Sequence, residues 1–198
     1  MTTHTDTVGA RLGMWLFLFT EIMLFGGLFV LYAAYFYRYF NDFSAAGKEL
    51  DVRLGTINTV ILLISSFTIA SAIAAVEKGS KKLGLGLMAI TVACGLAFLG
   101  NKYIEWSSEI AQGNYPNSDH LVNGPHAQTI FYGLYYTLTG LHGLHVFIGM
   151  SVISACMVLT AKGKIHSSRM AVLENTGLFW HLIDIIWIFL FPLLYLIP

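Results

Sequence analysis

Five stretches of this chain stay apolar for about the roughly 20 residues a helix needs to cross a bilayer. They fall at about residues 12–37, 54–76, 83–104, 129–159 and 177–197. Runs this long are not strands, and backbone in lipid must satisfy its hydrogen bonds within the segment, so each is read as a helix. Composition agrees. Hydrophobic residues are 56% of the chain and charged residues 11%, where a soluble domain carries roughly 25% charged residues; the mean hydropathy is +0.68. The expected fold is therefore an all-α integral membrane protein, a bundle of five transmembrane helices. Residues 1–11 form a short tail and 12–198 a single transmembrane domain, with no internal repeat and no separate soluble domain.

The charges exclude some functions and orient the chain. Net charge is zero, and no basic patch points to a nucleic-acid partner. Lys and Arg accumulate on the cytoplasmic side of membrane proteins. With the N-terminus cytoplasmic, that side holds seven: Arg11, Lys78, Lys81, Lys82, Lys162, Lys164 and Arg169. The opposite side holds four, Arg38, Lys48, Arg53 and Lys102. The N-terminus is thus placed in the cytoplasm and the C-terminus in the periplasm. The first apolar run is too long for a signal-peptide core and reads as a retained helix. Cys94 and Cys156 lie in apolar runs outside any metal, redox or haem-attachment motif, and read as packed thiols.

Ionisable groups inside membrane spans are functional candidates by default. Glu21 lies ten positions beyond Arg11, roughly 15 Å along the first helix. His142 and His145 share one face of the fourth helix at i, i+3 spacing. The fifth run and the turn before it carry Glu174, His181 and Asp184, with Glu174 and His181 on one face. These groups suggest a polar cluster between the fourth and fifth helices, joined by Glu21 from the first. Glu21 is taken as a neutral acid in an apolar pocket. Its alternative is a carboxylate paired with His142, His145 or His181.

A haem needs axial ligands on opposite faces of its ring. His142 and His145 stand about 5–6 Å apart at Cβ on one helix face, too close to sandwich a porphyrin. A bis-histidine haem would need one of them paired with His181 across helices, as in a haem-binding cytochrome b-type membrane anchor. Copper or zinc would lack a complete ligand set. Histidines bonded across helices to acids or backbone carbonyls fit better, and Gly140, Gly143 and Gly149 allow the close helix approach this needs.

The remaining polar residues read as packing or surface. Asn58, Ser65, Ser66, Thr68 and Ser71 form a small polar face on the second helix, and Gly84, Gly86, Gly95 and Gly100 do the same on the third. Trp106, Trp180 and Tyr195 sit near span ends as interfacial anchors. Residues 107–128 form the one substantial loop, where Asp119, His120 and His126 are solvated. No nucleophile–base pair, phosphate loop or pair of catalytic carboxylates is present, so no catalytic residue is assigned.

Four of these stretches together resemble subunit III of the haem–copper respiratory oxidases. They are RLGMWLFLFTEIMLFGGLF, LGTINTVILLISSFT, GLYYTLTGLHGLHVFIGM and ENTGLFWHLIDIIWIFLFPLLYL, in the family's order and over nearly the whole chain. The resemblance implies a non-catalytic subunit with no haem, copper or other metal of its own, the cofactors lying in partner subunits. It implies packing against oxidase subunit I as the main contact, with subunit II and small subunits in the same complex. It further implies bound phospholipid, support of proton uptake, and a bacterial cytoplasmic (inner) membrane location. Glu21 becomes the family's buried acid, and His142, His145, Glu174, His181 and Asp184 its polar signature residues, assigned to interhelix bonding and lipid-head contact. Longer members of the family have seven helices, so this five-helix form lacks the first two. A related class with the same motifs is the accessory membrane protein of nitric oxide reductase systems.

Overall fold

A computed structural model describes residues 7–122, 124–167 and 169–197. Residues 1–6 of the tail expected over 1–11 lie outside the described residues. Five long helices are present: α1 (Thr7–Arg38), α3 (Val52–Glu77), α4 (Lys81–Ala111), α6 (His126–Ala161) and α7 (Ala171–Phe191). All five are long and apolar enough to cross a membrane. Two short helices, α2 (Phe40–Gly47) and α5 (Asp119–Val122), lie in the connections, and a π-helical turn, Pro192–Leu196, follows α7. No strand occurs among the described residues.

Local chemistry sets several of the ends. Asp51 caps α3, its carboxylate accepting from the backbone N–H groups of Arg53 at 2.8 Å and Leu54 at 3.3 Å, two donors the first helical turn leaves unpaired. Gly79 stops α3 with φ +78°, a conformation that suits glycine. Helices α3 and α4 then pack as an antiparallel pair, α6 lies against α4, and α7 closes the bundle against both α6 and α3. Helix α1 lies outside these four, on α7 and the edge of α6.

Two ends differ from the sequence reading. Helix α4 runs to Ala111 and not to 104, and α7 begins at Ala171 and not at about 177. The expected loop over 107–128 shrinks accordingly, and His126 opens α6. The reason is polar: Glu105 and Glu109 face inward, are buried and find partners, so α4 continues although its hydropathy falls. His120 and His126 are exposed as expected.

The core is built round aromatic rings seated against glycines. Trp180 is fully buried. It fits because Gly95 of α4 and Gly149 of α6 carry no side chain; a Cβ on Gly149 would stand 2.8 Å from the Trp180 ring. The indole N–H donates to Ser65 Oγ at 3.0 Å. Trp180 is therefore a core residue and not the interfacial anchor its position suggested, because a hydroxyl on α3 satisfies its one donor. Gly86 and Gly100 face away from the bundle with nothing close to them. The small polar face of α3 does pack: Asn58 pairs with Asn101 at 2.9 Å and Thr68 with Thr91 at 2.8 Å.

Candidate functional site

The six candidate groups do not meet in one cluster. They separate into four places along the bundle. Glu174 and His181 share a face of α7 but stand roughly 10 Å apart along its axis, so each meets a different neighbour.

Glu21 of α1 and His145 of α6 form the central contact, Oε2 to Nε2 at 2.9 Å. The other ring nitrogen of His145 bonds the Leu141 carbonyl at 2.7 Å. A carbonyl only accepts, so Nδ1 carries a hydrogen, and the bond to Glu21 must contain a further proton. That proton sits either on a neutral acid or on an imidazolium. The two states that the sequence left as alternatives thus differ by one proton moved across a single hydrogen bond. Phe25 closes one side with its ring 5.4 Å from the imidazole, edge-on.

His142 is fully buried, and neither ring nitrogen has a hydrogen-bond partner among the described residues. It lies between aromatic rings, 5.3 Å from Phe98 and 5.2 Å from Trp187. Trp187 is held in turn by its N–H donating to Thr59 Oγ1 at 3.0 Å.

His181 bonds Ser66 of α3 through Nδ1 at 2.7 Å. Asp184, one turn on, is buried, and neither carboxyl oxygen has a hydrogen-bond partner among the described residues. Glu174 pairs with Arg11 at 2.9 Å on the exposed rim where α1 and α7 begin. Among the described residues no three His, Cys, Asp or Glu side chains converge as a metal site.

A second polar region was missed. Lys102, counted among the charges of the outer side at the end of the third span, is buried and faces Glu105 Oε2 at 3.1 Å. Its ammonium donates to the hydroxyls of Tyr135 at 3.2 Å and Tyr195 at 3.0 Å. Glu105 Oε1 accepts from both tyrosines, from Tyr135 at 2.6 Å. Tyr195 is thus a buried partner of the ion pair and not an interfacial anchor. A second group follows toward the same end of the bundle. Asn114 donates to Glu109 Oε2 at 3.0 Å, and Tyr132 donates to Glu49 Oε2 at 2.9 Å. The available signal was the i, i+3 spacing of Lys102 and Glu105 in GLAFLGNKYIEW, which lets opposite charges meet on one helix face.

The sequence that builds this bundle has counterparts among known proteins over nearly its whole length. The family described as cytochrome c oxidase subunit III matches residues 1–197. The chain belongs to the cytochrome c oxidase subunit III family. Its relatives are spread over two kinds of oxidase. Cytochrome c oxidase subunit 3 of Thermostichus vulcanus is 32% identical over 94% of this chain and 86% of that protein. Cytochrome bo(3) ubiquinol oxidase subunit 3 of Pseudomonas aeruginosa is 32% identical over 98% and 87%. Probable quinol oxidase subunit 3 of Staphylococcus haemolyticus is 31% identical over 100% of this chain and 97% of its own length. In this subunit III chain the polar groups with partners are bonded mainly to one another, as bundle-stabilising contacts are.

Proposed function

We propose that this chain is the non-catalytic subunit III of a terminal oxidase, supporting oxygen reduction that takes place in a partner subunit. The observation that carries the reading is the match of the family over residues 1–197, together with relatives named subunit 3 of oxidases along their own lengths. The reading includes subunit I as the main contact, subunit II in the same complex, haem and copper held by those partners, and phospholipid against the apolar faces. Glu21 with His145 and His181 with Ser66 serve as interhelix polar contacts, His142 and Asp184 are buried polar groups of the same bundle, and Glu174 with Arg11 ties α1 to α7 at the rim.

The bundle lies in the bacterial inner membrane with its N-terminus in the cytoplasm. Supporting this, Arg11, Lys78, Lys81, Lys82, Lys162, Lys164 and Arg169 are all exposed at one end. Burial of Lys102 in an ion pair removes it from the count on the other side, which leaves Arg38, Lys48 and Arg53 there. The bias the sequence suggested is therefore stronger in the folded chain, seven against three. The electron donor, cytochrome c or a quinol, belongs to the partner subunits, since relatives of similar identity carry both names.

Affinity capture of the tagged full chain from bacterial membranes in mild detergent tests the reading. The captured material should contain larger membrane subunits with haem absorption and oxygen-reducing activity. A preparation of those subunits stripped of this chain should keep its initial rate and lose activity progressively during turnover. Capture of the chain without an oxidase, or loss of all initial activity with the metal centres intact, would overturn the proposal.

A further inference from the structure

The end of the chain departs from the helix it continues. Pro192 has no N–H, which interrupts the hydrogen-bond ladder of α7. The backbone resumes as a π-helical turn, with Ile197 N–H reaching back to Pro192 O at 2.9 Å. Such turns are rare and concentrate at functional positions. This one directs Tyr195 inward while Leu196 and Ile197 face outward.

Tyr195 lands on the buried ion pair. Its hydroxyl donates to Glu105 Oε1 and accepts from Lys102 Nζ at 3.0 Å. Its ring centre stands 6.4 Å from that of Trp187, whose own ring covers His142. Lys102 Nζ stands 5.7 Å from the centre of the Trp187 ring, against which His142 packs, and His145 follows His142 one turn along α6. A file of polar groups therefore runs through the bundle in the order Glu105, Lys102, His142, His145, Glu21. At its Glu105 end the cover is the turn Pro192–Leu196.

We propose that this C-terminal turn is a latch: docking of Tyr195 on the Lys102–Glu105 pair holds α7 closed against α3, α4 and α6 and keeps water from the polar file behind Trp187. The turn beyond Pro192 is cut off from the hydrogen-bond ladder of α7. Tyr32 of α1 ties it from one side, donating to the Leu193 carbonyl at 3.0 Å, and Tyr195 ties it from the other by a hydrogen bond to a charged group, among the stronger kinds. Tyr135 makes the same bond to the same oxygen from within α6. The two tyrosines differ in where they are anchored, one in a long packed helix and the other in the short turn beyond Pro192. Losing the first bond leaves the cover in place; losing the second loosens it at the ion pair, with Tyr32 and the buried Leu194 still holding its other side.

The test uses the purified full chain in detergent micelles and the deuterium exchange of tryptophan indole N–H groups, followed by NMR. Trp187, bonded to Thr59, reports on the latched end; Trp180, bonded to Ser65, reports on the middle of the bundle. Tyr195→Phe keeps the ring and removes the hydroxyl. It should speed exchange at Trp187 at least about tenfold, as loss of one hydrogen bond to a charged group allows, and leave Trp180 unchanged. Tyr135→Phe should leave Trp187 exchange near that of the parent. No change at Trp187 in Tyr195→Phe, equal acceleration in the two variants, or parallel acceleration of both indoles would each overturn the latch.

Discussion

Two buried acids in this chain carry opposite lessons. Glu21 sits between α1 and α6 with one partner, and its side chain retains 14% exposure, that of His145 11%. Glu105 sits among α4, α6 and the C-terminal turn with three partners, and its side chain retains 2%. The difference follows from the helices that bring them. Helix α1 is attached from outside a closed four-helix bundle, so its contact with His145 is made across a thin interface. Glu105 lies where three elements of that bundle converge. A thinly covered pair can exchange its proton and its partner; a sealed pair held by several groups is structural.

Breaking the sealed pair should have the largest effect. Lys102→Ala or Glu105→Ala leaves an uncompensated charge in the core and should cost about 3–5 kcal/mol, read as a large fall in thermal stability of the detergent-solubilised chain. Lys102→Met combined with Glu105→Leu should recover most of that loss, since apolar residues replace a buried pair with little penalty. A double variant as unstable as either single one would show that the tyrosine hydroxyls, and not the charges, dominate. Glu21→Ala should cost less, about 1–3 kcal/mol for His145 Nε2 losing its partner, because the site keeps some access to its surroundings.

Glu21→Gln should cost about 1 kcal/mol or less, since an amide N–H can donate to His145 where the acid did. Its infrared difference spectrum against the parent locates the shared proton. Loss of a protonated carboxyl band is the outcome expected for a neutral Glu21; loss of a carboxylate band would place the proton on His145. The smallest effect belongs to Arg11→Ala. Its pair with Glu174 is exposed on both sides, and such pairs contribute about 0–1 kcal/mol, so the unfolding temperature should barely move. A marked fall would mean that α1 is held by its rim and not by Glu21.

The spans and the small polar face of α3 were legible in the sequence, since each rests on periodicity or length, which one chain displays. A histidine partner for Glu21 stood there only as the alternative to an apolar pocket, with His142, His145 and His181 equally open. Trp180, Tyr195 and Lys102 were misread as surface groups because they stand near span ends or beside polar residues. Position along a helix does not say which way a side chain faces or whether a hydroxyl on another helix waits for it. The single cluster expected of Glu174, His181, Asp184, His142 and His145 also dissolved: spacing along one helix predicts a shared face, while the partner at each depth comes from a different helix.

Hydropathy alone determined that this chain crosses a membrane as five helices, because unpaired backbone is too costly in lipid to allow another solution. The order of its motifs determined the family. Only the tertiary structure decided that Lys102 belongs inside. A buried lysine is tolerable when a carboxylate and two hydroxyls converge on it, and that convergence exists only once α4, α6 and the turn after α7 have packed together.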